Sequence, residues 1–134
     1  MFRRQSNKHT FPTVGGHNIT IEIGNNIKNL SKMFYGCKKL IKVEGNIPEG
    51  INNFSYMFYN CTSLQNVDGL KNLEVSNGEG FSWMFDECKS LQNVNELKNW
   101  DVSNGTTFEN MFGKCSNLVR DKIPQNLKNK SMII

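Results

Sequence analysis

No alanine occurs in the 134 residues, while asparagine and lysine are abundant. That imbalance speaks of coding bias rather than mechanism. No Cys-x-x-Cys pair is present, and His9 and His17 stand apart from all four cysteines, so no zinc-ligand spacing exists and no metal or cofactor is expected. No apolar run follows the charged start Met1 to His9, so this stretch is not expected to act as a secretory signal. Nor is any stretch long and apolar enough to cross a membrane. The expectation for the chain as written is a cytoplasmic monomer without membrane insertion, or an extracellular surface location if it is part of a larger exported protein.

A basic stripe is missing too. The formal charge of +4 divides into +3 over residues 1–16, −3 over 17–113 and +4 over 114–134. The body therefore lacks the cationic surface that tracks a phosphate backbone, and nucleic-acid contact is expected only from the termini, through Arg3, Arg4 and Lys8. Catalytic constellations are also lacking. No Ser-His-Asp set, carboxylate pair or phosphate loop sits at a recurring spacing, and Gly15-Gly16 and Gly78-Glu79-Gly80 read as turns, so an enzyme is not expected.

What the chain does have is a repeat. Phe54, Met57, Phe58, Cys61, Leu64 and Val67 write the skeleton F-x-x-M-F-x-x-C-x-x-L-x-x-V. Leu30, Met33, Phe34, Cys37, Leu40 and Val43 write it before, and Phe81, Met84, Phe85, Cys88, Leu91 and Val94 after. A fourth copy runs through Phe108, Met111, Phe112, Cys115 and Leu118. The repeat methionines lie 24, 27 and 27 residues apart, a period that marks a stacked array. Cysteines that share one slot of every copy read as a buried column of thiols rather than a disulfide framework.

Each copy divides in two. Apolar residues at i, i+3, i+4 and i+7 (Phe54, Met57, Phe58, Cys61) predict a short helix with one buried side, with Gly36 and Asn60 suiting its end. Leu-x-x-Val predicts a short strand, giving five parallel rungs near residues 18–23, 40–46, 64–69, 91–96 and 118–123. The first comes from the alternation of Ile19, Ile21 and Ile23 with polar residues. Return segments with Leu70, Leu73 and Val75, and with Leu97, Trp100 and Val102, roof the core. The organisation is a flexible basic arm over 1–16, then a body over 17–130 with a cap at 17–29. Its repeats lie near 30–53, 54–80, 81–107 and 108–130, the last breaking off as a C-terminal cap, and 131–134 form a tail.

Leu97 to Asn104 with Met111 to Leu118, and a weaker copy at Leu70 to Asn77, resemble the BspA-like leucine-rich repeat family over about residues 19–130. The resemblance implies an α/β repeat fold: a short leucine-rich-repeat solenoid with about five short parallel strands and four short helices, capped at both ends. It also implies adhesion to other proteins and brings no catalytic residues.

Two surfaces could serve a partner. Tyr56 and Trp83 share the slot before the methionine, where Lys32 and Asn110 stand in the other copies, and are expected to stack as exposed neighbours. The positions flanking the inward valine are Lys42, Glu44, Asn66, Asp68, Asn93, Asn95, Arg120 and Lys122, a broad polar face of the kind repeat stacks present to proteins. The function expected is a non-enzymatic protein-binding repeat module of the adhesion or interaction type. The alternative is a small cytoplasmic inhibitor from a phage or mobile element, blocking a host enzyme or a nucleic-acid-guided defence complex.

Overall fold

The computed structural model describes residues 3–10 and 18–134, with side chains from Thr20 onward. Its main body is a pile of four coils built from turns. In the second coil, Met57 N–H donates to Phe54 C=O, Tyr59 to Tyr56, Cys61 to Phe58 and Leu64 to Cys61, each three residues back, at 3.1–3.2 Å. The N–H groups between them point out of the coil: Phe54, Tyr56, Phe58 and Asn60 donate to Gly80, Ser82, Met84 and Asp86 of the next coil at 2.8–3.0 Å. The first and third coils repeat this alternation on their successors, and parallel bridges run Asn29–Asn53–Gly80–Thr107. One set of amides closes the turns and the other ties the coils.

The backbone angles say why this is not a helix. Two residues per coil sit in the left-handed region: Lys32, Tyr56, Trp83 and Asn110 before the methionine, and Gly36, Asn60, Glu87 and Lys114 before the cysteine, with φ between 49° and 70°. Left-handed residues four apart are what tandem turns with a positive-φ third position require, and they forbid a helix. The i, i+3, i+4, i+7 apolar pattern has another origin. Phe54 and Met57 end one turn, Phe58 and Cys61 the next, and the outward middle pairs are Ser55-Tyr56 and Tyr59-Asn60. A helix there would bind its amides internally and leave nothing to hold adjacent coils together.

The expected architecture is therefore corrected. The leucine-rich-repeat solenoid with five parallel strands and four helices is not formed. Among the described residues the strands are β1 (Arg3–Thr10) and β2 (Asn18–Glu22), paired antiparallel, and the one α-helix is α1 (Gln125–Lys128). Where Leu-x-x-Val predicted rungs, Val67 and Val94 hold ψ near 20°, which bends the chain instead of extending it. Short 3-10 segments follow at Asp68–Leu70, Asn95–Asn99 and Arg120–Lys122. The segment near 18–23 is extended, but as half of a hairpin and not as a parallel rung. Of the arm read over 1–16, residues 3–10 are β1, and residues 1–2 and 11–16 lie outside the described residues.

The core is a set of columns running along the stack. Phe34, Phe58, Phe85 and Phe112 stack with ring centroids 5.3, 5.3 and 5.5 Å apart, and Phe54, Phe81 and Phe108 at 5.4 and 5.2 Å. Offset-parallel rings of this kind add about 0.5–1.5 kcal/mol per pair beyond the area they bury. Leu70, Leu73 and Val75, then Leu97, Trp100 and Val102, are buried as the roof, and Trp100 donates its indole N–H to Leu70 C=O at 2.9 Å. Asn-Gly turns close the return: a Cβ on Gly105 would lie 2.2 Å from Cζ of Phe108, so the ring of the next coil occupies the space a side chain would need. At the far end Ile123, Pro124 and Leu127 are buried, and Met132 and Ile133 accept ladder bonds from Asn110 and Phe112, so residues 131–134 continue the pile where only a tail was expected. Among the described residues no helix is long and apolar enough to cross a membrane.

Candidate functional site: an aromatic and acidic corner on the outer turns

The outward middles of the first two turns form two parallel columns. Lys32, Tyr56, Trp83 and Asn110 make one, and Tyr35, Tyr59, Asp86 and Gly113 the other. Left-handed backbone swings the first set outward, while the ladder fixes their spacing. Tyr56 and Trp83 stack with centroids 5.0 Å apart and planes 9° from parallel, and Lys32 Nζ lies 5.7 Å from the Tyr56 centroid. Tyr35 stacks on Tyr59 at 4.7 Å, and Tyr56 meets Tyr59 at 5.6 Å across the columns, tilted by 60°. Four aromatic rings thus share one surface, with Tyr35 as much as 48% exposed.

Acidic groups border this patch on its C-terminal side. Asp86 is only 5% exposed, and it fits because Gly113 in the coil above has no side chain: a Cβ there would stand 2.1 Å from Asp86 Oδ1. Burial pushes the Asp86 carboxyl above the usual range, with Lys114 pulling it down and Glu87 pushing it further up. Lys114 Nζ lies 3.5 Å from Glu87. The Tyr59 hydroxyl is likewise raised, by desolvation first and then by Glu87, Tyr35 and Asp86.

A folded-state pKa above the unfolded value means that the folded protein holds this proton more tightly. The stability Asp86 contributes is therefore fully present below the unfolded carboxylate pKa, about 3.9, and is lost as pH rises through the raised folded value. Asp86→Asn should raise the urea midpoint at pH 7, and the gain should shrink to nothing on acidification to about pH 3. An asparagine variant weaker than the parent at pH 7 would contradict this.

The cysteines form a third column, buried at Cys61, Cys88 and Cys115 but exposed at Cys37, where all four were expected inside. Cys61, Cys88 and Cys115 donate their thiols to the carbonyls of Phe34, Phe58 and Phe85 in the preceding coil at 3.0–3.1 Å. Burial pushes the Cys61 and Cys115 thiols up to about 12, and Cys88 higher still. Thiolate nucleophilicity is absent at such values. Cys37 alone is exposed. A disulfide reagent added to the native protein should titrate one thiol quickly and three more only on unfolding; rapid reaction of two or more would contradict the buried column. No group of three His, Cys, Asp or Glu side chains gathers in a metal-binding arrangement among the described residues.

Tyr56 and Trp83 are brought together. The positions read as a strand face sit elsewhere, on the Leu-x-x-Val turn and the 3-10 segments that follow. There Asn66 and Asn93 spend their side-chain oxygens on the N–H groups of Asp68 and Asn95, and Lys42, Glu44, Asp68, Asn93, Asn95, Arg120 and Lys122 are exposed. Arg3, Arg4 and Lys8 fall on β1, where only the backbone is described. The roof side carries an open groove lined by Lys71, Asn72, Glu74 and Asp101. Both of those carboxyls are held below their usual range by hydrogen bonds from Ser76 and Ser103 in their own turns. Sequence reasoning missed Tyr35, Tyr59, Asp86 and Glu87. The signal for the tyrosines was there, since each follows the Met-Phe pair of its copy, 24 residues apart.

Geometry of this kind defines a class: a repeat protein built from stacked turns, with an apolar interior and an aromatic patch on its outer rim. The chain belongs to the family described as Mycoplasma protein of unknown function, DUF285, whose model matches residues 28–132 and so takes in all four coils. No curated protein and no solved structure matches it.

Proposed function

We propose that the protein is a non-enzymatic binding module that grips another protein with the aromatic rim of its first three coils. The observation that carries this is the surface cluster of Tyr35, Tyr56, Tyr59 and Trp83, held by a rigid ladder rather than a loop. Large aromatic side chains ordered in advance lose little freedom on binding, and tyrosine and tryptophan dominate the energetics of protein interfaces.

The experiment is site-specific photocrosslinking of the full chain in lysate of the source cells. A photoreactive residue at position 56 should yield a discrete crosslinked protein that one at position 99, on the roof side, does not. Equal or absent labelling from both positions would overturn the reading.

A further inference from the structure

We infer that the partner's anchor on this rim is an arginine side chain, received where Tyr59 and Trp83 meet the carboxylate of Asp86. This rests on the protein-binding reading and names the chemistry that would be bound.

Trp83 and Asp86 stand at the two ends of one turn, closed by the Asp86 N–H to Trp83 C=O bond at 3.3 Å. In the coil before, the equivalent pair is Tyr56 and Tyr59, whose rings fill the interval between the two columns with centroids 5.6 Å apart. Replacing the second tyrosine by the shorter aspartate in the next coil removes a ring from that position, and Gly113 in the coil after it removes the side chain altogether. Past the stacked rings the rim thus ends on a carboxylate, whose Oδ1 stands in the space that a side chain at Gly113 would need.

That carboxylate makes no hydrogen bond among the described residues. Its oxygens are not sealed either, since the buried side-chain oxygen shut off from both solvent and partner is Asn126 Oδ1. An acidic group held at 5% exposure without donors is under-satisfied and gains most from an incoming cation. Local charge leaves room for the same occupant: Glu87 adds to the negative field at Asp86, and Lys114, which weakens it, is paired with Glu87 at 3.5 Å and not with Asp86. Guanidinium suits the place better than ammonium because it is planar, stacks on aromatic faces and pairs with a carboxylate through a fork of donors.

The test is a two-dimensional amide NMR titration of the full chain with Nα-acetyl-arginine amide, against the neutral, isosteric citrulline amide. The expected result is a saturable shift of the Trp83 indole N–H and of the Tyr59, Asp86 and Gly113 amides with the arginine probe. Binding should be weaker by about tenfold or more for citrulline and for the arginine probe with Asp86→Asn. Trp83→Leu, which keeps the acid and removes the stacking face, should weaken the arginine probe as well. Equal shifts with both probes, or shifts confined to other surfaces, would overturn the inference. A protein crosslinked from position 56 whose capture is unaffected by Asp86→Asn would remove the arginine anchor and leave the binding reading standing. Specific arginine shifts with no crosslinked protein would do the reverse.

Discussion

Phe85→Ala should cost about 3–5 kcal/mol of folding stability, the range expected for truncating a fully buried ring. Its ring is wholly buried and lies between Phe58 at 5.3 Å and Phe112 at 5.5 Å, so its removal leaves a void and ends two stacking contacts together. The void cannot close, because the four ladder bonds on either side of that coil hold its neighbours at a fixed distance. Coils touch only the coils next to them, so a defect in the third weakens the junctions on both sides and should lower the cooperativity of unfolding as well as its midpoint. Val119→Ala is the matched control: that side chain is 46% exposed, and the change should stay within about 0.5 kcal/mol. A loss below about 1 kcal/mol for Phe85→Ala would mean that the column is not close-packed.

Trp83→Ala is expected to weaken capture of the crosslinked partner by about thirtyfold or more, the effect of losing an interface anchor worth 2 kcal/mol or more. Stability should fall far less than for Phe85, because the indole is half-exposed and its main neighbour is the equally outward Tyr56. Tyr56→Ala should act in the same direction with less force. The double variant should lose less than the sum of the two, since each ring orders the other. Asn66→Ala, by contrast, removes only the local bond to the Asp68 amide and should change stability slightly and affinity not at all. If Asn66→Ala harmed capture and Trp83→Ala did not, the interface would lie on the Leu-x-x-Val side.

The repeat and its buried slots were legible because every coil must supply its own methionine, phenylalanine and cysteine to fill one layer of the columns. The local structure was not, and for a definite reason. Tandem turns with buried ends and exposed middles place apolar residues at i, i+3, i+4 and i+7, the same positions as one face of a helix. Only the left-handed residues tell the two apart, and here glycine or asparagine marks them at Gly36, Asn60 and Asn110, while Lys32, Tyr56, Trp83, Glu87 and Lys114 hide them. Tertiary bonds between coils hold those five in a conformation their side chains disfavour by roughly 1–2 kcal/mol each.

At the rim, the pairing of Tyr56 with Trp83 followed directly from the shared slot. Asp86 did not stand out, since nothing local announces that an aspartate beside a glutamate is the buried one. Its burial depends on Gly113, a full coil away, and surfaces only when the coils are laid over one another. The strand reading of Leu-x-x-Val failed because the motif reads as extended until the valine ψ near 20° is known.

Hydrogen-bond scalar couplings between amide nitrogens and carbonyl carbons test the turn-built stack most directly. The expected result is a through-bond correlation from the Trp83 amide to the Glu109 carbonyl and from the Phe85 amide to the Met111 carbonyl, with Met84 correlated to Phe81 in its own coil. Correlations of Trp83 and Phe85 to carbonyls four residues back along the chain, as in a helix, would contradict it.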